Sequence, residues 1–170
     1  MKRILERAVL ALAALAMMAT VSPLAAQSAK GTSPGACSLL TKELVLQVTP
    51  ETNEAERDRL FGTPPEEHRL GPNRSLCDYA GLTLHLNPSD AKSFEAGIRK
   101  DKTWVPIPGL GNAAWFHDVK VMGELYAGEL YVRSGPRNLG VLITVPQGRT
   151  AESIKPNAVA LAKAVLSRPW

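Results

Sequence analysis

The sequence predicts an α+β fold, an antiparallel sheet with helices packed on it and held by one disulfide. Three observations predict it. Between residues 76 and 145, runs of alternating apolar and polar residues recur, separated by short turns bearing Gly and Pro. Near both ends of the mature chain, apolar residues instead return at helical spacing. Two cysteines, Cys37 and Cys77, follow an N-terminal export signal.

The elements follow in order. Lys2, Arg3 and Arg7 precede an apolar run from Val9 to Val21, and Leu24-Ala25-Ala26 offers small residues at a cleavage point. This reads as a secretory signal over residues 1–26, too short and wrongly flanked to span a bilayer. A periplasmic or secreted location follows, with no stable membrane insertion after cleavage. Residues 27–36 are small, polar and rich in Gly and Pro, a flexible tether. A single domain is expected over 37–170. Thr41 caps a short helix whose Leu44, Val45 and Val48 share a face, and Thr49-Pro50 stops it. Residues 51–74 are charged and broken by prolines, so at most a helical turn or two near Glu54–Phe61 is expected in a surface excursion.

From Leu76 the period becomes two. A short strand with Cys77 and Tyr79 turns at Ala80-Gly81 into one whose Leu82, Leu84 and Leu86 oppose Thr83, His85 and Asn87. Ser89 caps a helix presenting Phe94 and Ile98 and ending at Arg99-Lys100. Trp104–Pro108 is extended but limited by proline to an edge. Strands are expected over Ala113–Phe116, Glu129–Arg133 and Leu139–Val145. A last helix carries Val159, Leu161, Ala162, Val165 and Leu166 toward the core, with Pro156 placed in its first turn.

Charge excludes one class of partner. The chain carries +4, of which +2 belongs to the signal, and the remaining basic residues are scattered beside acids. No basic run interleaved with aromatics occurs, so nucleic acid is not an expected partner. The two cysteines are forty positions apart, unlike the close spacing of redox or zinc motifs. In an oxidising compartment they pair, and closing a loop of that length stabilises by about 4 kcal/mol in chain entropy.

Chemical motifs are weak. Pro108-Gly109-Leu110-Gly111-Asn112-Ala113-Ala114 satisfies G-x-G-x-x-A, but prolines precede it and Ala113–Phe116 reads as strand. A dinucleotide site needs a buried strand before the glycines and a helix after them, so a tight turn is the expectation. His68, His85 and His117 have no metal-ligand spacing on a shared element. No catalytic set and no cofactor are implied. Trp104, Trp115, Phe116, Tyr126 and Tyr131 fall within twenty-eight residues, with Arg133 and Arg137 close behind. Aromatics with arginine on a sheet face are a recognition surface, here assigned to Trp104, Trp115, Tyr131 and Arg133. Core filling by Trp and Phe, with Tyr at the rim, is the competing reading. The function expected is non-enzymatic binding of a small-molecule ligand or an envelope protein. The alternatives are a hydrolase assembled from distant segments, with His117 or His85 as base, and a metal-handling protein.

Several pieces in order resemble a group of actinobacterial secreted lipoproteins of unknown function. They are Cys37-Ser38-Leu39-Leu40-Thr41, Ser75-Leu76-Cys77-Asp78-Tyr79, the turn from Pro108 to Trp115, Leu130–Arg133 and Leu161–Leu166. The resemblance implies a Cys37–Cys77 pair and a twisted antiparallel sheet packed with helices. It is similar in kind to the extracellular sensor domain of a mycobacterial kinase and, more loosely, to PsbP-like sandwiches. It carries no catalytic residues. The chain departs from the family in lacking a lipobox cysteine at the cut and in its longer, more charged segment from Glu51 to Asn73.

Overall fold

The computed structural model describes residues 34–49, 54–87, 91–146 and 148–170. The residues read from the sequence as an export signal (1–26), and most of those read as a tether (27–33), lie outside the described residues. Seven strands form one antiparallel sheet: β1 (Glu66–Gly71), β2 (Arg74–Tyr79), β3 (Leu82–Leu86), β4 (Val105–Pro106), β5 (Ala113–Val121), β6 (Glu124–Ser134) and β7 (Arg137–Thr144). Their spatial order is β1-β2-β3-β7-β6-β5-β4. Five helices complete the fold: α1 (Ala36–Leu39), α2 (Lys42–Val48), α3 (Glu54–Phe61), α4 (Ala91–Lys100) and α5 (Ala151–Leu166). This is the α+β class that the sequence predicts. Among the described residues, no helix is long and apolar enough to cross a membrane.

Alternation divides the sheet into two faces. On the first lie Cys77 and Tyr79, then Leu82, Leu84 and Leu86, then Leu139, Val141 and Ile143, then Leu130 and Val132, then Ala114 and Phe116. All are buried. The helix α5 covers this face with Ile154, Ala158, Leu161, Ala162 and Val165, α1 extends the cover over β2 and β3, and α2 packs beside α5. Each Leu, Ile or Val fully buried in this layer contributes about 1.5–3 kcal/mol.

The Ser89 cap expected for α4 lies outside the described residues, while two other helix starts carry side-chain caps. Thr41 Oγ1 accepts the Leu44 N–H at 3.4 Å, and Thr150 Oγ1 accepts the Ser153 N–H at 3.2 Å. The second cap corrects the register of α5. The helix begins at Ala151, which puts Pro156 in its second turn rather than its first. The structured part begins before the expected boundary at residue 37. Ala36 is fully buried and opens α1, with its N–H given to Ser75 Oγ at 2.9 Å.

The expected disulfide joins Cys37 to Cys77 and ties α1 to the sheet beside its second strand. Residues 51–74 hold more structure than expected. After the two turns of α3, β1 pairs with β2 from Glu66↔Asp78 to Gly71↔Arg74. The glycine motif is a turn leading into β5, with Gly109 and Gly111 at positive φ. A Cβ on Gly111 would strike the Arg133 carbonyl oxygen, so the turn needs glycine for space as well as for φ.

Candidate functional site

The second face of the sheet carries most of the polar chemistry. One row of cross-strand neighbours runs His68, Leu76, His85, Gly140, Tyr131 and Trp115, from β1 to β5. The next runs Glu66, Asp78, Thr83, Leu142, Glu129 and His117. All three histidines therefore share this face. Within β3 this was readable, since His85 alternates against Leu82, Leu84 and Leu86. That β1 would bring His68 to the same side was not, because β1 has no apolar alternation.

Helix α4 and Trp104 roof the end of this face over β5 and β6. Phe94 reaches Tyr131, with ring centroids 4.1 Å apart, and meets Trp104 edge-on at 5.7 Å. Trp104 stacks on His117 at 3.8 Å and 25°. Trp115 lies 6.2 Å from Tyr131. Below the roof, the His117 and Glu129 side chains meet at 2.9 Å between Nε2 and Oε2. Arg133 Nε stands 2.8 Å from Glu95 Oε1 of α4.

The four residues singled out from the sequence are thus brought onto one face, in unequal roles. Tyr131 is 1% exposed, whereas Trp104 and Trp115 remain half-buried. The core-filling reading holds for Phe116, which is buried, and for Tyr126, which is exposed at the rim, and it is reversed for Tyr131 and the two tryptophans. Gly140 beside Tyr131 leaves the space that the His85 Cβ occupies, 3.2 Å from where a Cβ on Gly140 would sit. Arg133 keeps 37% of its side chain in solvent. Sequence reasoning missed Glu95 and did not connect Phe94 or His117 with the group. An acidic residue beside the Phe94/Ile98 stripe was the available signal.

The loop after α4 is fixed by Asp101, whose carboxylate accepts the Thr103 N–H at 2.9 Å and the Thr103 hydroxyl at 2.8 Å. These two bonds hold its carboxyl below the usual carboxylate range. His85 moves the other way in charge: burial keeps its imidazole below its ordinary pKa. Away from the roof, the face ends in an open concavity of about 280 Å³, whose lining includes Thr63, Asp78, Thr83, Tyr126 and Thr144.

Several chemistries can be placed on this geometry. The His117–Glu129 pair has the form of a base and the group that orients it. His117 Nε2 is taken by Glu129, and His85 Nε2 is buried without a hydrogen-bond partner. Among the same residues, no three His, Cys, Asp or Glu side chains converge as a metal site would require. The turn at Gly109–Gly111 is followed by a strand, so no helix N-terminus stands there for a pyrophosphate. Compared with protein-family models, curated proteins and solved structures, the chain gives no significant match.

Proposed function

We propose that this is an exported, non-enzymatic domain that binds a small ligand, or a short segment of an envelope protein, on the aromatic end of the second sheet face. One observation carries the reading. Two half-buried tryptophans and a partly exposed arginine surround a buried tyrosine, on a face that, among the described residues, one ten-residue helix roofs. Core packing alone asks for apolar residues there, as on the opposite face. Aromatic rings beside an arginine are instead what binding surfaces use, since the rings give apolar area and the guanidinium gives direction. The disulfide supports export, and kinship with the secreted lipoprotein group belongs to the same proposal.

The test is native mass spectrometry of protein taken from an oxidising compartment, compared with the same sample denatured. A bound mass lost on denaturation is expected, and Trp115→Ala should retain at least fivefold less of it while staying folded, a loss of about 1 kcal/mol at one contact. A Trp115→Ala protein that keeps the bound mass would sink the reading. Turnover of a generic ester that disappears in His117→Gln would replace it with the hydrolase.

A further inference from the structure

Helix α4 presents an unusual pair to the sheet. Its inward stripe is Phe94, Glu95 and Ile98, where an amphipathic helix would place three apolar residues. Glu95 is 7% exposed. Its carboxylate lies 2.8 Å from Arg133, yet neither Glu95 Oε1 nor Arg133 Nε makes a hydrogen bond of acceptable geometry. A buried charge pair recovers its desolvation cost only when its hydrogen bonds are well formed. A methionine or leucine in this place would stabilise α4 better. Glu95 is therefore a poor choice for holding the roof down and a suitable one for occupying Arg133 reversibly.

Phe94 completes the pattern. Its ring lies on Tyr131 at 4.1 Å and 33° while the neighbouring carboxylate lies on Arg133. Together the two side chains present an aromatic ring and a carboxylate to a tyrosine and an arginine. The helix that carries them is weakly built. Gly97 sits exposed in its middle, and a Cβ there would meet nothing within 4 Å, so no packing demand accounts for the glycine. Glycine at such a position costs about 1 kcal/mol relative to alanine. The strand that follows, β4, is only two residues long.

We propose that Phe94 and Glu95 are an internal stand-in for an aromatic carboxylate. Such a ligand binds by displacing them, its ring on Tyr131 between Trp104 and Trp115 and its carboxylate on Arg133. The inference rests on the reading of this face as a binding site and adds the ligand class and the element that competes with it. A free carboxylate can approach the guanidinium in the bidentate geometry that Glu95 does not reach, which is the source of its advantage. The population of displaced α4 sets the apparent affinity, so weakening the stand-in strengthens binding.

The probes are 2-naphthoate and its neutral isostere 2-naphthamide, titrated by calorimetry into the oxidised mature chain. Glu95→Gln is expected to tighten 2-naphthoate by roughly five- to tenfold, the lower part of the range for coupled sites, and to tighten the amide less. Phe94→Ala should act in the same direction. The double variant E95Q/R133Q removes both charges together, which keeps the fold intact, and should lose the gain. Near-ultraviolet circular dichroism confirms that each variant is folded. Equal affinity of wild type and Glu95→Gln, or an equal gain for both probes, would overturn the stand-in. The binding face itself would then survive only if either probe, or the mass retained in native spectra, still depends on Trp115. No binding of either probe by any variant also overturns the stand-in.

Discussion

His85 shows how one residue couples this face to pH. It stands on the inner strand β3 with its Nε2 buried and without a hydrogen-bond partner, and burial holds its imidazole below the ordinary range. Glu129 and Asp78 act in the opposite direction, and Arg74 reinforces the lowering. In the unfolded chain the same group titrates near pH 6.5 (about the model-peptide value). The unfolded state therefore binds a proton that the folded state refuses. Stability is full above that pH, falls as the pH drops below it, and levels off only once the folded group has also titrated. Urea midpoints of wild type and His85→Gln, taken at about pH 7.5 and about pH 5.5, should show a smaller acid loss in the variant. Equal losses in the two proteins would mean that His85 does not carry this dependence. Tyr131, one row neighbour beyond Gly140, makes a related point about residues. It is more buried than either tryptophan beside it because it sits on β6, which has strands on both sides and α4 above.

At the scale of elements, the edges of the sheet explain both a success and a failure of sequence reading. The strand β3 was legible because one of its faces is buried, which leaves an alternation of Leu82, Leu84 and Leu86 against polar residues. The edge strand β1 was not. Its Glu-Glu-His-Arg-Leu-Gly sequence has no buried face, and only its backbone bonds to β2 make it a strand. Charged residues and a register shift between Arg69 and Gly71 are also what keeps such an edge from pairing with another copy. The other edge is protected by different means. The strand β4 is two residues long with Pro106, and β5 beyond it has Lys120 and its own register shift. The helix α5 gives the prediction at this scale. Its true start, at the Thr150 cap, leaves Pro156 in the second turn, exposed and without an N–H for the Glu152 carbonyl. Proline inside a helix costs about 3 kcal/mol, against which its rigidity in the unfolded chain returns up to about 1 kcal/mol. Pro156→Ala should therefore raise stability by about 2 kcal/mol, seen as a later urea midpoint with an unchanged slope. An earlier midpoint would show that the proline contributes contacts beyond the helix.

For the whole molecule, what the sequence could not supply was adjacency. The alternation within each strand told which residues share a side, so Tyr131 and Arg133 could be grouped on one strand, whereas His117 fell beyond the strand expected over Ala113–Phe116. Nothing local says that β3 lies beside β7, a pairing that joins Leu86 to Leu139 across the inserted β4–β6 hairpins. Nor does it say that α4 crosses to Tyr131, which is why Glu95 and Arg133 were not read as partners. Long-range ties of this kind also decide how the N-terminal part is held. Helix α1 has only four residues and could not persist alone. It is fixed by the Cys37–Cys77 bond, by the Ala36 N–H on Ser75 Oγ, by the Cys37 N–H on Glu67 Oε2 at 3.2 Å, and by Arg168 at the far end of the chain, whose Nη1 donates to the Leu39 carbonyl at 2.9 Å. The three hydrogen bonds exist only in the folded state, whereas the disulfide also restricts the unfolded one. Replacing both cysteines by alanine should thus cost about 2–4 kcal/mol, a large share of the 5–15 kcal/mol that typically holds a domain together. The loss should appear in urea unfolding of C37A/C77A and, with the same size, in wild type under reductant. If the reduced wild type and C37A/C77A both match the oxidised protein, the hydrogen bonds from Glu67, Ser75 and Arg168 suffice to hold α1. If they differ from it by the expected amount, the fold reaches full stability only where a disulfide can form.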